Sequence, residues 1–172
     1  MTSRAWHLTT SLTVPRTLDE TFAFFADASN LGRITPPELR FEIRTPMPVA
    51  MRAGALIDYT IGLHGLPMRW RTLISAWEPP HRFIDEQVKG PYAEWVHEHR
   101  CVAVPGGTRI DDHVRFRLPF APLGDVAAPF VHRTLRRIFA HRQETVAQLL
   151  APGRSDVVIS PVQIAREAPS AD

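Results

Sequence analysis

Two histidines and two aspartates stand at positions from which they could act together. His97 and His99 lie two residues apart in a stretch with the alternation of a strand, which would turn both side chains to one face. Asp85 and Asp112 have the same parity in the segments before and after it. Cross-strand neighbours on one face lie about 5 Å apart, so a carboxylate could orient each imidazole as a general base or acid.

This cluster has two other interpretations. Buried histidines and aspartates often only satisfy each other's hydrogen bonds and fix strand register. A metal ion is the second alternative, because His97 and His99 project the same way and Asp85 or Asp112 could supply an oxygen ligand. Since nothing else in the chain completes a recognised metal motif, the sequence predicts no metal and no cofactor.

The first elements that must position these residues are a strand and two short helices. Residues 6–14 alternate as a half-buried strand does. Thr17 and Glu20 have the spacing of a capping box and predict a helix over residues 17–27, and a further helical turn or two follows over residues 29–34.

A run of short segments rich in β-branched and aromatic residues comes next. Turn signals divide it into six predicted strands, at residues 39–45, 55–63, 68–77, 83–89, 93–104 and 108–118. The connections are short, so neighbours should pair antiparallel, and with the first strand they make a seven-stranded sheet.

A long amphipathic helix closes the predicted domain. Its apolar residues recur at intervals of three and four up to about Leu150, and Pro129 suggests where the regular helix begins. The sequence thus predicts one domain over residues 1–150. Residues 151–172 are predicted to be a mobile tail, or a strand that docks only with a partner.

The order of elements and one group of motifs carry a family resemblance. The motifs are Trp70-Arg71-Thr72, Trp77-Glu78-Pro79-Pro80, Phe83, Asp85, Gln87, Gly90-Pro91-Tyr92, Trp95 and His97-Glu98-His99. Over about residues 4–150 the chain resembles the ligand-binding branch of the SRPBCC superfamily, which includes START domains, birch-pollen-allergen-like proteins and polyketide cyclase/dehydrases. The resemblance implies an α+β helix-grip fold: a curved antiparallel sheet around a long C-terminal helix.

Such a sheet leaves a cavity that its inward side chains do not fill. The predicted catalytic residues are His97, His99, Asp85 and Asp112, and the predicted ligand-binding residues are Tyr59, Trp70, Thr72, Gln87, Trp95, Phe116 and Arg142. Arg142 falls within the apolar stripe of the long helix. It could anchor a ligand oxyanion, pair with an aspartate, or extend its head to water.

The expected ligand is an apolar or aromatic small molecule, polyketide-like in character. If the protein is an enzyme, the resemblance implies cyclase, aromatase or dehydratase activity, with Tyr59 or a protonated histidine polarising a carbonyl oxygen. The alternative is a non-catalytic carrier or sensor of a lipid-like molecule. A third possibility is a stress-response domain that binds a protein partner.

Composition limits the partners and the compartment. The formal net charge is +2, and the one dense basic cluster, Arg133, Arg136 and Arg137, lies on a predicted helix face, so no nucleic-acid partner is expected. No apolar run is long enough to span a bilayer, and the lone Cys101 cannot form an internal disulfide. A cytoplasmic protein without membrane insertion, monomeric or homodimeric, is predicted.

Overall fold

The computed structural model describes residues 4–63, 65–120 and 123–168. The helices are α1 (Leu18–Ala26), α2 (Asn30–Ile34), a 3-10 turn (Pro37–Leu39) and α3 (Leu123–Leu150). The strands are β1 (Ala5–Val14), β2 (Glu42–Ile43), β3 (Leu56–Leu63), β4 (Leu66–Glu78), β5 (Arg82–Lys89), β6 (Glu94–Val104), β7 (Gly107–Arg117), β8 (Val158–Ile159) and β9 (Gln163–Arg166). In the described part of the chain, no helix is long and apolar enough to cross a membrane.

The predicted capping box sets the start of α1. The Thr17 hydroxyl accepts a hydrogen bond from the backbone N–H of Glu20, and the Glu20 carboxylate accepts one from the backbone N–H of Thr17. These bonds satisfy donors that the first turn of a helix leaves free. Phe22 and Phe25 on the same helix are buried against the sheet, so the helix is anchored over one end of it.

The sheet is antiparallel in every pairing. Its strand order is β2-β3-β4-β5-β6-β7-β1-β8, and β9 also pairs with β1. Register shifts interrupt the pairing of β4 with β5 between Arg71 and Thr72 and between Ile74 and Ala76. Bulges of this kind bend a strand and increase its twist.

Strand β2 is shorter than residues 39–45, the predicted range. Pro36 and Pro37 lead into a 3-10 turn that ends at Leu39, and Arg40 has a left-handed φ of 44°. Neither conformation can join an extended ladder, so β2 begins only at Glu42, and its regular pairing with β3 comprises Glu42 and Ile43.

Helix α3 lies across the concave face of the sheet. Leu135, Phe139 and Val146 are buried along it, at the positions that its apolar periodicity predicted. The helix begins at Leu123. Pro129, where the sequence suggested that the regular helix begins, lies inside it instead. Pro129 is exposed on the outer side of the helix, where water can satisfy the carbonyl that its missing N–H leaves free.

The C-terminal segment differs from its prediction. Instead of a mobile tail, or a strand that needs a partner protein, it forms β8 and β9, which pair with β1 of the same chain. These two strands raise the strand count from the predicted seven to nine. Buried Gln143 of α3 donates hydrogen bonds to the backbone carbonyls of Ser11 in β1 and Ser160 between the new strands, and so ties helix, sheet and tail together.

Candidate functional site

A cavity of about 190 Å³ lies between the concave face of the sheet and α3. Its walls come from β3 to β6, from α1, α2 and the 3-10 turn, and from the middle of α3. Partly exposed lining residues such as Phe41, Pro91 and Ile138 mark the side that opens to solvent. A cavity of about 150 Å³ lined by apolar residues can hold benzene, so this space has the size for a small ring system.

Aromatic rings form much of the wall on the sheet side. Tyr59 stacks on Trp70 at 5.8 Å between ring centroids, and Trp95 meets Trp70 edge-on at 5.6 Å. Tyr92 completes the row at 4.7 Å from Trp95. Strand parity explains the arrangement, because Tyr59 and Trp70 are directly opposite each other on paired strands and therefore share a face.

The inner end of the cavity is polar. His97 and His99 both line it, with ring centroids 3.7 Å apart, and both side chains are almost fully buried. Behind them lies Asp112 on β7, directly opposite His99 in the register. One Asp112 oxygen, Oδ1, lies 2.9 Å from Nε2 of His97 and 3.0 Å from Nδ1 of His99. A single carboxylate therefore contacts both imidazoles.

Asp85 on β5 contacts the same imidazoles from the opposite side. Its Oδ2 lies 2.7 Å from Nε2 of His99 and 3.7 Å from Nδ1 of His97. Asp85 lines the cavity, whereas Asp112 does not. The two carboxylates thus hold the imidazoles between them, with only Asp85 on the ligand side.

Arg142 of α3 adds a positive charge to this end of the cavity. Its Nε lies 3.8 Å from Oδ2 of Asp112, too far for a hydrogen bond, and its guanidinium carbon lies 5.4 Å from the centre of the Phe25 ring. Nη2 of Arg142 lies 3.4 Å from Nδ1 of His99, which can accept a weak hydrogen bond from it, while Nε2 of His99 contacts Asp85. Among the residues that the structure describes, the buried Nε–H of Arg142 has no hydrogen-bond acceptor.

Burial and pairing move the imidazole pKa values in opposite directions. Burial alone would lower the pKa of His99, but hydrogen bonds to Asp112 and Asp85 outweigh it, and the pKa is raised. For His97, burial and the nearby charge of His99 prevail over the carboxylates, and the pKa is lowered. His99 therefore takes up a proton at a higher pH than His97 does.

The carboxylates stay ionised in spite of their burial. Burial would raise the pKa of Asp85, but the hydrogen bond from His99 and the charges around it lower the pKa instead. For Asp112 the Arg142 charge and the two imidazole bonds overcome burial and hold the pKa well below its usual range. Two negative carboxylates, Arg142 and a protonated His99 sum to zero charge, which is the arrangement that makes such burial tolerable.

The structure brings most of the predicted site residues together. Those that line the cavity are Tyr59, Trp70, Thr72, Asp85, Trp95, His97, His99 and Arg142. Asp112 is placed behind the imidazoles. Phe116 is fully buried in the core, and Gln87 binds the backbone N–H and C=O of Tyr92, so neither lies on the cavity wall. Both have the inward parity that was predicted, but parity does not distinguish a core position from a cavity position.

Sequence reasoning missed several wall residues. Tyr92 lines the cavity from the β5–β6 turn, where no strand period applies. The Gly90-Pro91-Tyr92 motif supported the family resemblance but did not predict a wall position. Leu135 and Phe139 line it from α3. The helical period of α3 identified its apolar face. Packing that face against the inward side chains of the sheet would have predicted both wall residues.

Comparison with known structures identifies the fold class. The chain is similar to the Zhui aromatase/cyclase from Streptomyces sp. R1128, with a TM-score of 0.68 at 16% identity over 87% of this chain and 98% of that one. It is also similar to a START superfamily protein from Mycobacterium smegmatis, with a TM-score of 0.62 at 12% identity over 83% and 99% of the two chains. These likenesses confirm the helix-grip fold.

A family model matches residues 5–150, from the start of β1 to the end of α3. Its description is polyketide cyclase / dehydrase and lipid transport. The chain belongs to this family, which confirms the resemblance that the sequence motifs indicated. No curated protein matches the chain.

Proposed function

We propose that this protein binds an apolar or aromatic small molecule in the cavity, with an oxygen-bearing end of the ligand against the histidine–aspartate cluster. The observation that carries the proposal is the asymmetry of the cavity. Its walls are largely aromatic and aliphatic, whereas Asp85, His97, His99 and Arg142 meet at one end. A site of this kind orients a ligand by its polar end and holds it by apolar contact.

Arg142 suits the binding of a carbonyl, phenolate or enolate oxygen. The unsatisfied N–H of a buried guanidinium is costly, and a ligand oxygen within reach would offset that cost. The aromatic row beside it fits a planar ligand, because rings stack or meet edge-on at the spacings seen there.

The proposed chemistry is cyclisation, aromatisation or dehydration by acid–base catalysis. His97 donates its Nε2–H to Asp112, so that Nδ1 carries the lone pair on the side of Asp85 and can take a proton from a carbon alpha to a carbonyl. The enolate oxygen would be stabilised by protonated His99 or by Arg142, and its carbon would attack a second carbonyl. The proton then returns from His97 to the new alkoxide and gives a hydroxyl group. For dehydration, His97 would remove a second alpha proton and deliver it to this hydroxyl, which leaves as water as the carbon–carbon double bond forms.

Tyr59 is the other candidate for polarising the carbonyl. Burial raises the pKa of Tyr59, more than its weak contact with Thr72 lowers it, and the charge of Asp85 acts in the same direction as burial. The phenol therefore stays protonated and remains a hydrogen-bond donor at neutral pH. The Tyr59 hydroxyl lies 3.4 Å from the Thr72 hydroxyl, and both residues line the cavity.

Non-catalytic transport or sensing of a lipid-like molecule is the alternative. The family description includes lipid transport, and the same cavity could carry a ligand without changing it. In that case the polar cluster serves only to orient the ligand. For either activity we propose a cytoplasmic location, since Cys101 is the single cysteine and is buried as a free thiol.

Native mass spectrometry of freshly purified protein tests the binding proposal, because a ligand of fitting size should co-purify at one molecule per chain. The identified ligand is then incubated with the wild type and with His97→Gln, Asp85→Asn and, as a matched control, His113→Gln on the outer face of the sheet. Loss of turnover in the first two variants alone supports acid–base catalysis. Ligand recovered unchanged from the wild type supports transport, and failure of any apolar molecule to bind contradicts both.

A further inference from the structure

Hydrogen bonds to the two aspartates indicate where the imidazole protons lie. A neutral imidazole has one N–H donor and one lone pair. Oδ1 of Asp112 lies within hydrogen-bond distance of Nε2 of His97 and of Nδ1 of His99, and an ionised carboxylate can only accept. His97 therefore donates Nε2–H to Asp112 and has its lone pair on Nδ1. His99 donates Nε2–H to Asp85, and a metal ion at Nε2 would replace this proton.

These two nitrogens converge on one oxygen. Nε2 of His99 is 2.7 Å, and Nδ1 of His97 is 3.7 Å, from Oδ2 of Asp85. One ligand atom from each of the three residues lies within 4.8 Å of the other two. All three residues line the cavity, so the point between these atoms is next to the ligand space.

Three electron-pair donors in such proximity need a positive charge among them. A proton on Nε2 of His99 satisfies the short contact with Asp85. It leaves Nδ1 of His97 facing Oδ2 of Asp85 at 3.7 Å with no proton between them. A single cation with three coordination positions would satisfy all three atoms at once.

We propose that Nδ1 of His97, Nε2 of His99 and Oδ2 of Asp85 bind one divalent ion of a first-row transition metal, such as Zn(II) or Fe(II). Two imidazoles and one carboxylate are a common ligand set for these ions when open positions remain for water or substrate. Metal–ligand distances of about 2.0–2.2 Å place tetrahedral ligands about 3.3–3.6 Å apart, so sub-ångström to ångström shifts of these side chains suffice.

The surrounding groups fit such an ion. Histidine ligands usually donate their other N–H to a carboxylate, which fixes the tautomer and the ring orientation. Asp112 does this for His97, and its Oδ1 also lies 3.0 Å from Nδ1 of His99. Arg142 contacts Asp112 and Nδ1 of His99, which is not one of the three proposed ligand atoms. The remaining coordination positions would face the cavity, where the ion could polarise a carbonyl oxygen of the ligand.

This inference deepens the proposed function. Any chemistry that the metal supplies to a ligand rests on the proposed ligand binding in the cavity. Metal binding itself needs only the three side chains. Nδ1 of His97 cannot bind a metal and accept a proton at the same time. His97 can therefore act as a general base only in the metal-free protein. Treatment with a chelator allows turnover by the metal-free and the metal-bound protein to be compared.

The test is titration of chelator-treated full-length protein with Co(II) and Zn(II), followed by calorimetry and, for Co(II), by visible absorption. One ion per chain is expected. Asp112→Asn should weaken binding about 10- to 100-fold, as loss of a carboxylate partner to a histidine ligand does. His97→Gln and Asp85→Asn should weaken it further. His7 and His113 form an exposed histidine pair on the outer face, so the double variant His7→Gln/His113→Gln is the matched control and should bind like the wild type.

X-ray absorption of the zinc-loaded wild type gives an answer that does not depend on any variant folding. Two imidazole nitrogens with oxygen ligands and no sulfur are expected. No binding by the wild type, full binding by His97→Gln or Asp85→Asn, loss of binding in the outer double variant, or a sulfur ligand from Cys101 would each overturn the proposal.

An apolar probe such as 2-naphthol, titrated into the chelator-treated wild type, separates the two proposals. Probe binding without metal binding overturns the metal site and leaves the proposed function intact. Metal binding by a protein that takes no apolar probe supports the metal site and contradicts the proposed function.

Discussion

Two pairs of histidines lie on opposite faces of the same sheet. The inner pair, His97 and His99, lies at the cavity with ring centroids 3.7 Å apart and the rings tilted by 36°. The outer pair, His7 and His113, stacks at 5.1 Å with the rings almost parallel, and its nearest nitrogens are 2.8 Å apart. In the outer pair one imidazole hydrogen-bonds the other directly, whereas in the inner pair both bind carboxylates.

The carboxylates and the depth of burial account for the difference. The outer pair has Glu167 at 3.4 Å from Nε2 of His7, and both of those side chains are partly exposed. Burial and the charge of His7 lower the pKa of His113. Inside, two buried aspartates raise the pKa of one histidine and leave that of the other lowered. Buried carboxylates, rather than the pairing of imidazoles, thus give a histidine pair two distinct protonation roles.

The largest predicted effect comes from removing the carboxylate that both inner imidazoles share. Asp112→Asn should destabilise the protein by about 3–5 kcal/mol, since it leaves buried cations and an imidazole without their partner. The matched outer change, Glu167→Gln, should cost much less, because solvent screens an exposed pair. Urea denaturation of chelator-treated proteins measures both. Equal losses in the two variants would contradict the difference between the pairs.

A smaller effect is expected from removing the tail that supports the outer pair. Deleting residues 157–172 removes Glu167, exposes the edge of β1, and uncovers the core that Val162 and Ile164 cover. We expect a loss of about 2 kcal/mol from this apolar area and self-association through the free strand edge. Urea denaturation and size-exclusion chromatography measure these. Probe binding in the cavity should not change, and its loss would show that the two faces are coupled.

The smallest effect is a pH dependence at the outer pair. Because the pKa of His113 is lowered in the folded protein, its contribution to stability is present above its ordinary pKa and is lost as the pH falls. His113→Gln should therefore reduce the loss of stability between about pH 7 and pH 5 by less than about 0.5 kcal/mol, given the exposure of the side chain. Unfolding free energies measured across this pH range test the prediction. A larger loss of stability in the variant than in the wild type would contradict it.

The inner face was easier to predict from sequence than the outer one. Strand β6 has eleven residues and the sheet buries one of its faces, so parity placed His97, His99 and Trp95 on that face. The same parity placed Phe116 and Gln87 inward. It could not show that Phe116 lies in the core, or that Gln87 binds the turn at Tyr92, rather than lining the cavity. Strands β8 and β9 have two and four residues, too few for a period to emerge, and their pairing depends on β1, which is distant in the chain.

Binding of 2-naphthol, followed by calorimetry, tests the central claim most directly, because the cavity between sheet and helix must accept a small ring system. Ile138→Trp fills the cavity from α3, and Arg136→Trp places the same side chain on the exposed face of that helix as a control. One molecule should bind to the wild type and to Arg136→Trp, with affinity at least about tenfold (1.4 kcal/mol) weaker in Ile138→Trp. Equal affinity in all three proteins, or no binding to the wild type, would contradict the claim.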